Sequence, residues 1–591
     1  MFQDFSQHKS RSKSETSVRS VPDHRPSLTI YAASVTFVAC VGGLLFGFDT
    51  GIMSGVQLFV YKAEGFTTSS SITRGAVVAV TPAIAAIGAA IAGQCSDRFG
   101  RRLVVILSSL LFIAGSVVCA VATSVGYLIA GRGILGLAVG IASMTVPVYI
   151  SEGAPQHLRG FLVTAYQLMI ASGFVLANAV AGAFAHIDPI RIGWRLMFGF
   201  GVIPAILQFL GLLCMKESPR YLVEKDREEE AEGVLRKIYK DDEDWVKHDL
   251  DCIKDAVDKE REIATRNEGG KSVIGRICAT SHVRRALAIG CSMQMFQQLV
   301  GINAIMYFMS NIIKSSGITD DILNLWIACG ISAVQVVGTL IPMKLVERCG
   351  RRPLLLISTG ALVVSLFVMG GAFQLITLTA PSINQTLSHS NSSINSTKTV
   401  NWNTCVQFDS CDSCVRNEHC GLCYSQARDN AYCLPVGRSE AYSATGMCTK
   451  DSEDHSYSMH SISCPSSFKW LVIGDMGFYL IAFAFGMGAL PWVYNAEMYP
   501  MWARSTCVSM STFTNWAFNV AVSFSFDYLS VKLSSSIIFF IYGGITAIAF
   551  LVFFFFIPET TGLSIEEIEH LFKKDRREDN EEGEESSTAD H

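Results

Sequence analysis

Charge is what this chain has least of. Of its 591 residues only 17% are Asp, Glu, Lys or Arg, and half are apolar, a balance that excludes an ordinary soluble enzyme. Charge is largely kept out of twelve apolar stretches, near residues 28–58, 75–94, 103–123, 126–149, 160–184, 194–214, 286–311, 322–343, 353–378, 468–494, 505–528 and 534–557. Each is long enough, at about 20 residues, to cross a bilayer. The chain has 12 histidines, yet none falls in these stretches, so the side chain that titrates near neutrality is unavailable inside them. They also hold no metal-ligand set and no nucleophile–base arrangement, which leaves an enzyme as the least favoured class. No cleavable leader is visible. Residues 1–27 are polar, basic and serine-rich and are expected to form a disordered cytosolic tail.

The few charges between the stretches are ordered. Arg98, Arg101 and Arg102 follow the second, Arg159 the fourth, Arg348, Arg351 and Arg352 the eighth, and Arg504 the tenth. By the positive-inside rule these loops and both termini are cytosolic. The long segment between stretches nine and ten then faces outward. It contains three glycosylation sequons, at Asn384, Asn391 and Asn395, and eight cysteines: 405, 411, 414, 420, 423, 433, 448 and 464. Both features suit an oxidising exterior. Two Cys-x-x-Cys pairs suggest zinc, but only five residues separate Cys414 from Cys420, and the compartment favours disulfides. Four are expected, with the connectivity open among 105 possibilities.

An internal repeat sets the architecture. Asp97-Arg98-Phe99-Gly100-Arg101-Arg102 recurs as Glu347-Arg348-Cys349-Gly350-Arg351-Arg352, 250 positions later. Glu152 with Arg159 recurs as Glu497 with Arg504, 345 positions later. The difference, 345 − 250 = 95, matches the cysteine-rich insertion. The expected fold is all-α: two six-helix halves in a twelve-helix membrane protein, with binding near the midplane and a small disulfide-rich insertion. The divisions are 1–27, a tail; 28–214, the first half; 215–283, a charged helical linker; 284–378, spans 7–9; 379–467, the insertion; 468–557, spans 10–12; and 558–591, a second tail. The linker, helical over 226–239 and 249–264, is either solvated or a latch across both halves. A short helix is expected at 564–572, capped by Ser564 with Glu567 three residues on.

Asp49 is the only charge in its stretch, and Arg132 the only one between Tyr127 and Ile150. A lone carboxylate at that depth is costly unless paired, protonated or hydrated. At about 1.5 Å per residue, with the two helices antiparallel, Asp49 and Arg132 reach similar depth in the outer half. Pairing favours the charged carboxylate and desolvation the neutral one, so a fixed ion pair and a proton-coupling pair both remain open. A neutral polyhydroxylated ligand needs side chains that donate and accept hydrogen bonds without charge, which Asn and Gln do. Gln167, Gln294, Gln297, Gln298, Asn303, Gln335, Asn495 and Asn515 lie in or beside the spans, and Phe46, Trp492 and Trp516 offer apolar faces. At the cytosolic ends, Asp97, Glu152, Glu347 and Glu497 face Arg101, Arg159, Arg351 and Arg504 as topology anchors or as a gate. Exposed pairs of this kind contribute about 1 kcal/mol or less each, so a gate needs a network. Asp475, near the outer end of span 10, is expected to reach the headgroups.

The motifs Gly47-Phe48-Asp49-Thr50-Gly51, Asp97-Arg98-Phe99-Gly100-Arg101-Arg102, Gly131-Arg132 and Glu217-Ser218-Pro219-Arg220 resemble the sugar-porter branch of the major facilitators. So do Gln297-Gln298-Leu299-Val300-Gly301-Ile302-Asn303 and Pro558-Glu559-Thr560. The resemblance covers nearly all of residues 28–572. The insertion, itself similar to the plexin–semaphorin–integrin module, and the stretch from Gly140 to Ile150 narrow it to the animal proton-coupled myo-inositol cotransporters. It implies sugar-contacting roles for Gln167, Gln297, Gln298, Asn303 and Trp492, proton coupling through Asp49, and a cytosolic gate at the acid–arginine positions. Gln335 departs from it, since relatives often carry Asn there. The implied activity is symport of a proton with myo-inositol or a related neutral polyol, without cofactor, at the plasma membrane or an intracellular vesicle. The alternatives are a facilitative hexose or polyol carrier with a static Asp49–Arg132 pair, and a transporter-like sensor or adhesion receptor. Intact Asp49, Arg132 and amides argue against the receptor.

Overall fold

A computed structural model describes residues 29–66, 71–155, 158–266, 273–318, 320–346, 348–384 and 463–561, shorter stretches between 402 and 461, and a few isolated positions near the termini. Ten helices among them are long and apolar enough to cross a membrane. They are span 1 (Ile30–Val56), span 2 (Thr73–Phe99), span 3 (Arg101–Ala120), span 4 (Val125–Glu152), span 5 (Arg159–Phe184), span 6 (Pro189–Cys214), span 8 (Asp321–Leu345), span 9 (Arg351–Leu378), span 10 (Lys469–Glu497) and span 12 (Ser535–Phe556). Spans 7 and 11 complete the twelve and fall short for visible reasons. Span 7 is split into Ser281–Leu299 and Ile302–Ser315, with Gly301 between them at φ +90°, a conformation that side-chain-bearing residues rarely adopt. Span 11, Arg504–Lys532, is diluted by hydroxyl and amide side chains such as Ser511, Thr512, Asn515 and Asn519.

The repeat seen in the sequence is a repeat in space. Gly100 and Gly350 turn the chain into spans 3 and 9 with φ of +94° and +91°. At each turn one carboxylate accepts the first helical N–H groups: Glu217 from Arg101 and Arg102, Glu559 from Arg351 and Arg352. The two halves meet along spans 2 and 11 and along spans 5 and 8. Exposed apolar residues such as Phe37, Leu107, Leu207, Val337, Ile357 and Phe555 lie on the outside of the helices, as a lipid-facing surface requires.

The linker forms helices Pro219–Glu224, Glu228–Tyr239, Glu243–Arg266 and Val273–Ala279. It has a small apolar core of its own, including Leu222, Val234, Leu235, Ile238, Val246 and Leu250. A cavity is shared by Glu152 and Arg159 of the first half, Asp249 and Ile253 of the linker, and Ala496 and Arg504 of the second half. The linker is therefore packed at the junction of the halves and is not a free strand.

In the insertion, β1 (Cys420–Ser425), β2 (Asn430–Pro435) and β3 (Ser458–His460) form an antiparallel sheet in the order β2-β1-β3. The disulfides are Cys405–Cys420, Cys411–Cys464, Cys414–Cys433 and Cys423–Cys448. The module touches the bundle, since Arg416 Nη1 donates to the Lys532 carbonyl at 3.2 Å. Asn384 is exposed, whereas Asn391 and Asn395 lie outside the described residues. So do Glu347, most of the 1–27 tail, and the proposed cap at Ser564 and Glu567, although Ile568 and Phe572 beyond it are buried.

Candidate functional site

Asp49 and Arg132 meet. Arg132 Nη1 lies 2.5 Å from Asp49 Oδ1, with the guanidinium fully buried and the carboxylate nearly so. Asp49 Oδ2 and Arg132 Nε and Nη2 have no hydrogen-bond partner among the described residues. A buried ion pair gains from its geometry only when its remaining polar atoms are also satisfied, so this pair is incompletely compensated. Thr81 donates to the Arg132 carbonyl at 3.1 Å. From the opposite half comes Tyr307, fully buried and facing Thr50, Asn519 and the ion pair. The sequence reading missed it. Its spacing from Asn303 places both on one face of a helix, a signal that was available.

The amides form a second centre. Asn303 Nδ2 donates to Gln298 Oε1 at 2.5 Å, and Gln298 Nε2 to Asn515 Oδ1 at 3.0 Å. Asn515 Nδ2 donates to Gln294 Oε1 at 2.7 Å and Gln297 Oε1 at 2.8 Å. Gln297 Nε2 in turn reaches the Met487 carbonyl at 2.8 Å, where span 10 is interrupted between Phe485 and Leu490. All are buried. The Gly301 break is what allows Gln298 and Asn303, on two different helical segments, to join. Gln167 of the first half points its amide at Gly488, where an added Cβ would lie 3.2 Å from Nε2. Phe46 packs on Trp516 at 5.2 Å between ring centroids, and the Trp516 indole donates to Ser143 Oγ at 3.0 Å. Trp492 is buried beside this region in Leu490–Glu497. Gln335 is fully buried, and neither of its amide atoms has a partner among the described residues, a state that calls for a bound polar group or water.

The acid–arginine clusters, expected as topology anchors or as a networked gate, pair within each half. Arg101 binds Glu152 at 3.1 Å and Asp97 at 3.3 Å, all in the first half, and Arg351 binds Glu497 within the second. Arg159 donates to the Ser151 carbonyl at 3.1 Å, and Arg504 to the Tyr499 carbonyl at 3.3 Å. A contact that does cross is Ser505 Oγ to Asp97 Oδ1, 2.7 Å. The opposite end of the bundle also joins the halves: Ser54 Oγ to Ser310 Oγ at 2.9 Å, and Gln57 Nε2 to the Tyr307 carbonyl at 3.1 Å. The linker and tail carboxylates differ. Burial pushes Glu217 above the ordinary carboxylate range. Burial also acts on Glu559, but the Thr561 hydroxyl and several backbone N–H groups outweigh it and hold Glu559 low. Asp475 is not at the headgroups: it is buried between spans 9 and 10, with Oδ1 3.2 Å from Ser365 Oγ.

Residues 35–389 and 444–572 match the family described as sugar (and other) transporter. The chain belongs to the sugar transporter family. Among curated relatives of this sugar transporter, the proton myo-inositol cotransporter hmit-1.1 of Caenorhabditis elegans is 40% identical over 94% of this chain and 93% of its own. The proton myo-inositol cotransporter of Homo sapiens is 36% identical over 93% of this chain and 83% of its own. Among solved structures, the major-facilitator proton:xylose symporter XylE bound to 6-bromo-6-deoxy-D-glucose superposes with a TM-score of 0.68 at 26% identity. It covers 92% of this chain and 99% of its own. The sugar transporter thus has the twelve-helix major-facilitator fold, in a family of carriers and not of enzymes.

Proposed function

We propose that this transporter moves myo-inositol, or a closely related neutral polyol, together with a proton by alternating access at the plasma membrane, with both termini cytosolic. The observation that carries the reading is the incompletely satisfied Asp49–Arg132 pair, placed where a residue of the opposite half, Tyr307, reaches it. The curated relatives named for proton and myo-inositol support it. In this reading, hydroxyls of the solute replace the amide–amide bonds among Gln297, Gln298, Asn303 and Asn515, and occupy the free amide of Gln335. Phe46 and Trp492 cover its C–H faces. The Arg-rich end is cytosolic, and Ser54–Ser310 and Ser505–Asp97 separate in turn as the site faces out and then in. The acid–arginine clusters hold each half rigid during that exchange. The rival is a uniporter with a static pair. Voltage-clamp currents with inositols and hexoses at acidic and neutral pH decide between them: inward current evoked by inositol and enlarged by acid is expected.

Replacing Gln298 or Asn303 by Ala should weaken apparent solute affinity by about 1–3 kcal/mol, because a buried polar partner is left unpaired. Folded protein should be unchanged in amount. A comparable loss of folded protein would instead assign the network to helix packing.

Deleting residues 385–462 should leave a core that still transports, because the insertion lies outside the repeat. Surface delivery is expected to fall. A truncated protein that reaches the membrane and binds solute without moving it would show that the module belongs to the transport machinery.

A further inference from the structure

We propose that a cavity beside the start of span 3 binds the phosphorylated headgroup of an anionic membrane lipid. The cavity, of about 570 Å³, lies between Arg102 and the linker helices Pro219–Glu224 and Glu228–Tyr239. That volume falls within the roughly 300–1,000 Å³ of small-ligand sites. Its wall carries four cations, Arg102, Lys216, Arg227 and Lys237, against two carboxylates, Glu217 and Glu230. Both carboxylates are already engaged. Glu217 accepts the backbone N–H groups of Arg101 and Ser218, each at 3.0 Å. Glu230 takes both of its hydrogen bonds from Arg227 at 2.7 Å, which engages Arg227 as well and leaves Arg102, Lys216 and Lys237 as the wall cations without a carboxylate among the described residues. Arg102 is fixed in the wall through the Leu212 and Leu213 carbonyls, 2.9 Å each. Lys216 and Lys237 are exposed, Lys237 lying 5.7 Å from the Tyr31 ring centroid, and no ion pair of either with a carboxylate is found among the described residues.

The same cavity is lined by Phe99 and Leu103, both half exposed. Leu103 begins a stripe, with Leu107 and Leu110 also exposed, along one face of span 3 at helical spacing. Acyl chains lying on that stripe bring a headgroup to the cavity mouth. A soluble phosphate would have no use for it. Basic pockets at the cytosolic ends of membrane helices are suited to such headgroups, and this leaflet is cytosolic in the orientation proposed above.

The test adds phosphatidylinositol 4,5-bisphosphate to the full chain purified in detergent and counts retained lipid by native mass spectrometry. Detergent exposes both ends of the bundle, so the outcome is independent of the orientation. Each basic residue near the surface strengthens binding about fivefold. The double variant Lys216→Gln/Lys237→Gln should therefore bind about 25-fold more weakly, while Lys240→Gln/Lys247→Gln, outside the cavity, retains the lipid. Soluble inositol trisphosphate at equal concentration should not displace it. An equal loss in the control pair, displacement by the soluble headgroup, or no retention by the unmodified chain would each overturn the assignment.

Discussion

Asp49→Asn should abolish solute-evoked proton current and uphill accumulation, while solute still exchanges down its gradient. A neutral solute cannot be concentrated without an outside driving force. One proton moving down about 100 mV releases about 2.3 kcal/mol, and one pH unit adds about 1.4 kcal/mol. Together these support a gradient of several hundred-fold, which a carrier without a titrating group cannot reach. Asp49 is placed for that role: it is buried, and among the described residues its Oδ2 has no hydrogen-bond partner and its ion-pair partner is Arg132. Ionised, it holds Arg132 in the outer half and resists closure of the loaded site. Protonated, it releases the pair, and proton and solute together favour the inward swing. The asparagine fixes the released state, so transport loses its dependence on external pH. A well-expressed Asp49→Asn protein with wild-type, pH-dependent current would sink the mechanism and leave the uniporter.

What the sequence made legible follows from how strongly each feature is constrained. The twelve spans, the repeat and the Asp49–Arg132 pair are set by the cost of placing charge or unpaired backbone in hydrocarbon, and a single chain reveals them. The break at Gly301 had its own signal, a glycine free to take positive φ set between the amides Gln298 and Asn303. The equivalence of Glu217 and Glu559 was partly legible, because Glu-Ser and Glu-Thr pairs lie close to one repeat length apart. The partners within the amide network were not. Gln294, Gln297 and Gln298 share one helix, and which of them meets Asn515 or the Met487 carbonyl depends on helix rotation, which no local pattern encodes. Disulfide connectivity was closed to inspection because it depends on the tertiary path of the module. Asp475 was misplaced because residue count gives depth but not facing: span 10 turns it toward Ser365 of span 9. Arg159 and Arg504 each also donate to a backbone carbonyl, a choice that sequence does not encode because a guanidinium's five donors suit carboxylate and carbonyl alike.

The second large effect concerns Arg132. Arg132→Met leaves Asp49 buried and without its cation, a change that costs about 3–5 kcal/mol for a pair of this kind. Thermal unfolding of the purified protein at neutral pH should show that loss. Acidification should recover part of it, because the stranded carboxylate then takes up a proton and loses its charge. Asp49→Asn strands the guanidinium instead and should also destabilise this conformation. The double variant Asp49→Asn/Arg132→Met removes both charges and should lie closer to the unmodified protein than the sum of the two losses predicts. The difference is the coupling energy of the pair. That energy bears on the mechanism, because protonating Asp49 weakens the same attraction that the single variants remove. Coupling near zero would mean that protonation has nothing to release. Coupling of a few kcal/mol would be comparable to what one proton delivers under such driving forces, as a mechanism that works by releasing this pair requires.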